Sequence, residues 1–171
     1  MAADRVSGRP TRSGSNLVRS RRAARRLALA ALFEAEFGQR TATVVLERHL
    51  AETEGDPETA RHARLLVDAT GANCDRIDAR IEAAAPQYPV VTLARMDRVL
   101  LRAGICEVLH SPATPARVAI AEWVELARVY GGDPARRLVN GVLGRVARDL
   151  AAESLGSHPG PRSTGVPDAQ E

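Results

Sequence analysis

Apolar residues recur along the chain at three- and four-residue intervals and never alternate over a strand-length run, which predicts helices throughout. The first helix is expected from Ser20, a side chain able to cap its N-terminus, to near Phe37, with Gly38 at the C′ position. Leu29, Phe33 and Phe37 fall four apart and form its apolar stripe. A second helix spans Ala42 to Ala51, carrying Val44, Val45, Leu46 and Leu50. Asp56 followed by Pro57 is a cap and first-turn pair. That third helix is read through to about Ala84, with Leu65, Leu66, Ala69, Ile77 and Ile81 on one side and Gly71 as a point of bending or close approach.

Pro86 and Pro89 then break the chain, and Thr92 is expected to cap a strongly apolar helix to about Leu109. A helix apolar on most sides belongs in the centre of a core. After Pro112 and Pro115, a helix from Ala116 to Val129 stops at Gly131-Gly132. Asp133-Pro134 starts the last one, which runs to about Ala152. The sum is an all-α bundle over residues 20–153. Residues 1–19 are expected to be a disordered basic arm, and 154–171, rich in Pro and Gly, a disordered tail.

Composition adds one feature to this picture. The chain has 171 residues and a net charge of +3, and all 24 of its basic residues are arginine. Residues 1–26 hold eight arginines against Asp4, whereas 27–150 are slightly acidic. Positive charge concentrated in one arm points to a polyanion, nucleic acid first, with a solvated tail as the alternative. Arg22, Arg25 and Arg26 lie on one helical face, where cations oppose the helix dipole. Because arginine also occupies ordinary helix faces, its exclusive use carries less information than its placement.

Other chemistry is sparse. No apolar run is long enough to span a bilayer, and no apolar segment follows the N-terminal arginines, so a cytoplasmic location is expected. Cys74 and Cys106 stand alone, and Cys106 reads as a small core residue. The four histidines are scattered, so no metal site is expected, and no nucleophile-base grouping or phosphate-cradling loop suggests an enzyme or a cofactor. Asp97 and Arg98 read as a structural ion pair. Glu107 interrupts an apolar helix, either as a solvent-facing position or as a partner contact. Trp123 reads as a core residue or a surface anchor.

Four segments together resemble the NusB family of bacterial transcription antitermination factors. They are RRAAR (Arg21 to Arg25) with AALF (Ala30 to Phe33), DRVLLRAGICEVL (Asp97 to Leu109), PARVAIAEWVELA (Pro115 to Ala127) and LVNGVLG (Leu138 to Gly144), in the family's order. The resemblance covers about residues 20–150. It implies an all-helical domain of about six or seven helices in two packed subdomains. It also implies pairing with the ribosomal protein NusE, binding of boxA RNA in nascent ribosomal transcripts, and service in an RNA polymerase antitermination complex. Family members occur as monomers and as dimers, so a homodimer is among the expectations. Carried over by position, the resemblance makes Arg21, Arg22 and Arg25 RNA-binding candidates, with Arg26 adjacent. Arg136, Arg137, Leu138 and Asn140 form a second set at the start of the last helix. Glu107 falls at the family's protein-partner surface.

Departures from the family pattern are local. Leu138 replaces an aromatic and cannot stack on a base, while Arg136 and Arg137 in DPARRL offer phosphate contacts. Ala121, Trp123 and Cys106 also differ from the usual residues. NusB-like domains occur fused to ribosomal RNA methyltransferases as well. The chain ends shortly after the last predicted helix, so a binding protein without a catalytic domain is expected. The alternative is an RNA-binding or interaction module with a basic arm that lacks boxA specificity.

Overall fold

The first helix, α1 (Arg12–Ala35), buries Ala24, Ala28 and Ala31 together with Leu29. Side chains this small let a neighbouring helix approach closely. α3 (Pro57–Ala72) lies there, presenting Ala63, Leu66 and Val67. α2 (Ala42–Glu52) closes the group with Val45 and Leu46. The caps follow the local chemistry. Thr41 accepts from the Val44 amide, and Asp56 accepts from the amides of Glu58 and Thr59. Asp56 also accepts a hydrogen bond from the Ser20 hydroxyl at 3.0 Å, tying α1 to the start of α3.

This computed structural model describes residues 12–53 and 55–156, all helix and connecting turn with no strand among them. A second subdomain comprises α4 (Cys74–Ala84), α5 (Arg95–His110) and α6 (Ala116–Gly156). α5 joins the two halves, packing on α4 and α6 and also on α1 and α3. Its residues from Val99 through Glu107 are buried except Arg102, as its apolar sequence predicts. Gly104 sets the α5–α6 distance: a Cβ there would lie 3.0 Å from Leu143 Cδ1 and 3.3 Å from Trp123 Cγ. An ionic cluster stitches the lower end. Glu36 receives Arg98 and, at 3.0 Å, Arg102, which also grips Asp78 at 2.7 Å.

Several boundaries differ from the sequence expectation. α1 starts at Arg12, so residues 12–19 are helical, and Ser20 lies inside the helix with its hydroxyl bonded to the Asn16 carbonyl. Residues 1–11 and 157–171 lie outside the described residues. Phe37 falls beyond the end of α1 and is exposed; its ring packs edge-on against Phe33 and carries Arg95 at 4.9 Å. The long third helix is two, broken at Asn73 and not at Gly71, with the Asn73 amide donating to the Ala69 carbonyl. Thr92 ends a short 3-10 turn (Val90–Thr92) and bonds Pro89, leaving α5 to begin at Arg95 without a side-chain cap. Arg98 pairs with Glu36 and not with Asp97.

The two helices read on either side of Gly131-Gly132 are both present; they meet at a sharp kink and are taken together as the two arms of α6. Gly132 has φ +72° and ψ −164°, a conformation that is almost the preserve of glycine. Pro134 lies just after it, at the start of the second arm. Gly132→Ala is expected to lower stability by roughly 1–3 kcal/mol. Urea denaturation checks this, and an unchanged midpoint would show that the kink carries no strain.

Candidate nucleic-acid interface

Four arginines of α1 occupy four different environments. Arg25 is buried, with 3% of its side chain exposed, and forms a two-pronged pair with Glu107: Nε to Oε2 at 2.8 Å and Nη2 to Oε1 at 2.7 Å. Arg21 is largely covered and donates to the Ala113 carbonyl and the Thr114 hydroxyl. Arg22 is exposed, but its guanidinium donates through Nε and Nη2 to the Glu122 carboxylate at 2.9–3.0 Å. Arg26 is exposed and makes no ion pair among the described residues. Arg22, Arg26, Glu122 and Glu125 border a groove of about 470 Å³ between α1 and the first arm of α6.

Two sequence expectations are corrected here. Glu107 has no exposed side-chain surface, so it is neither solvent-facing nor able to touch a partner directly. Arg25, only 3% exposed, spends Nε and Nη2 on Glu107, and its Nη1 lies 3.7 Å from Glu122 at the edge of the groove. Both belong to one internal network. Glu107 Oε2 also accepts a 2.7 Å hydrogen bond from the Trp123 indole, and His62 Nε2 lies 3.3 Å from Oε1. Trp123 is thus a core residue with its polar edge satisfied. Burial pushes the Glu107 carboxyl up, but His62, Arg25 and Trp123 together outweigh it and hold it down at about 2. The signal in the sequence was Glu107 itself: an acid on an apolar helix face must be paired if it is buried.

The second candidate set lies elsewhere. Arg136 pairs with Asp133 at 3.1 Å. Arg137 and Asn140 are exposed, and Leu138 is half-buried against the core. Arg137 and Leu138 line a groove of about 670 Å³ between the loop after α4 and the second arm of α6. Tyr88, Arg145 and Arg148, none of them singled out from sequence, complete its walls together with Asp97, which the sequence reading had placed in an ion pair. Burial pushes the Asp97 carboxyl up, and no hydrogen bond to it is present among the described residues. This groove and the one at Arg22 and Arg26 share no residue. No cluster of three or more metal-ligating side chains occurs among the described residues, and none of the helices is long and apolar enough to cross a membrane.

Residues 22–148 match the model of the NusB family. The chain belongs to that family. Among NusB proteins, the transcription antitermination protein NusB of Dehalococcoides mccartyi is 40% identical over 132 residues, covering 77% of this chain and 92% of that one. That of Sorangium cellulosum is 36% identical over 131 residues, covering 77% and 94%. The structure of T. maritima NusB superposes with a TM-score of 0.71 at 32% identity, covering 75% of this chain and 91% of that one. A crystal structure of antitermination factors NusB and NusE in complex with double-stranded RNA gives a TM-score of 0.70 over 77% of this chain and 98% of that one. At 23% identity it shows the shared fold alone.

The position of the Glu107 carboxyl in this NusB fold has a pH consequence. Its value lies below the ordinary 4.5, so the stability it contributes is present above that value and is lost as pH falls toward about 2. The amount is roughly 3 kcal/mol. Glu107→Gln leaves the buried Arg25 guanidinium only the more distant Glu122 carboxylate, 3.7 Å from Nη1, and is expected to cost roughly 3–5 kcal/mol at neutral pH. It should also flatten the acid limb of a stability-against-pH curve measured by urea denaturation. A variant matching the parent in both respects would remove Glu107 from this role.

Proposed function

We propose that the protein is an RNA-binding transcription antitermination factor that acts by association and without catalysis. Its ligand is boxA RNA of nascent ribosomal transcripts, bound together with the ribosomal protein NusE in an RNA polymerase antitermination complex. Membership of the NusB family across 22–148, at up to 40% identity to proteins named for antitermination, carries this reading. The exposed arginines support it. Arg22 and Arg26 present cations beside one groove, and Arg137 does so beside the other. Arg25 acts from inside, fixing the face of α1 on which Arg22 and Arg26 stand. A phosphate approaching Arg22 meets a guanidinium already oriented by Glu122, and must share or displace that carboxylate.

In this mechanism the arginines capture RNA through its phosphates, and NusE completes the surface that discriminates boxA. The double variant Arg22→Ala, Arg26→Ala should weaken boxA binding and reduce the slope of log affinity against log salt by about 1.4, the value for two phosphate contacts on a single strand. Fluorescence titrations of boxA and a scrambled RNA, each with and without NusE, supply the measurement. A salt slope identical to that of the parent would remove both arginines from the interface. Equal affinity for the two RNAs with NusE present would reduce the function to nonspecific RNA binding.

A further inference from the structure

The groove between α1 and the first arm of α6 is lined by three arginines and two glutamates. Arg25 is spent on Glu107, and Glu125 is held by Arg128 at 2.6 Å on its own helix. Arg22 and Arg26 remain as the accessible cations, and Glu122 is the anion between the two helices. Its side chain is 20% exposed against 58% for Arg22, so the carboxylate is the fixed half of the pair and the guanidinium the movable half. It accepts from Arg22 Nε and Nη2 at 2.9–3.0 Å, the two-pronged grip that an arginine gives a phosphate. Its Oε2 also lies 3.7 Å from Arg25 Nη1. One carboxylate thus occupies the point where two guanidiniums converge.

Such a point has the chemistry of a phosphate seat that is already filled. A phosphate taking the Nε–Nη2 fork must expel the carboxylate, and one taking the remaining Nη1 edge lies beside it, anion against anion. Either route weakens every RNA by the same factor, because phosphate contacts carry no sequence information. A ligand with further contacts binds in spite of that penalty, and one held by charge alone does not. An orienting role has the opposite sign: a carboxylate that only held Arg22 ready would strengthen binding by limiting the side-chain freedom lost on association. Glu122 takes up the fork itself, which favours competition over orientation. An ion pair with so exposed a partner is weak in water, so a phosphate can open it without disturbing the fold.

We propose that Glu122 is a resident substitute for phosphate on Arg22, a specificity-determining carboxylate that keeps RNA lacking other contacts off the α1 groove. The inference rests on the RNA-binding reading given above and adds to it a residue whose loss strengthens binding.

The test titrates the full chain with boxA and scrambled oligonucleotides, each with and without NusE. Glu122→Gln keeps the size of the side chain and removes its charge. It should tighten binding of both RNAs about fivefold and leave their ratio unchanged. In an Arg22→Ala background the same change should alter affinity by no more than about twofold, because the seat is gone. Glu47→Gln removes an equal charge from a like two-pronged pair, made with Arg64 outside the groove, and should also stay within about twofold. Urea midpoints confirm that each variant is folded. Weaker binding by Glu122→Gln would make the carboxylate an orienting group and overturn the proposal. Equal tightening by Glu47→Gln, or by Glu122→Gln without Arg22, would reduce the effect to net charge and overturn it as well. If Glu122→Gln changes nothing while Arg22→Ala, Arg26→Ala weakens binding, the proposal falls and the proposed function stands. If none of these variants alters binding, the arginine pair included, the RNA reading of this groove falls with it.

Discussion

Four helices meet at the side chain of Glu107. Arg25 reaches it from α1, His62 from α3 and Trp123 from α6, while the carboxylate itself stands on α5. Removing a carboxylate and a guanidinium from water costs several kcal/mol each, and a single Coulombic contact offsets this poorly. Here the carboxylate has two guanidinium bonds and an indole bond, so both of its oxygens are occupied by donors. The arrangement is directional in a way that alanine and leucine packing is not. It fixes the rotation of α1 about its own axis, and with it the direction in which Arg22 and Arg26 point.

Much of the fold was legible because its punctuation is local. Asp56-Pro57, Gly38 and Gly131-Gly132 act through their own backbone or carboxylate chemistry, and each marks a cap, turn or kink in the structure. Boundaries decided by neighbours were not. Ser20 has the chemistry of a cap, yet its hydroxyl serves Asn16 and Asp56, because α1 extends to Arg12 and packs beside the start of α3. The break at Asn73 depends on a side-chain amide taking the Ala69 carbonyl, for which Gly71 was a plausible but mistaken substitute.

The site was legible in outline and misread in detail for a related reason. Adjacent helical residues point about 100° apart. Asp97 and Arg98, neighbours in sequence, therefore serve a groove and an ionic cluster on different sides of α5. Arg25 and Arg26, likewise adjacent, divide between the core and solvent. The RRAARR segment is accordingly a packing motif and a surface motif interleaved on one helix. Tyr88, Arg145 and Arg148 gave no signal in sequence because only the kinked second arm of α6 and the loop after α4 together bring them to one groove.

The use of arginine for every cation acquires a meaning at one position. A desolvated ammonium sheds its proton readily, so a lysine in place of Arg25 could neutralise and leave Glu107 without a counter-charge at ordinary pH. A guanidinium has no such escape. The Arg25–Glu107 pair at the middle of the brace therefore loses its charges from the carboxylate end only. That pair is weak on the acid side, and alkali leaves both of its charges in place.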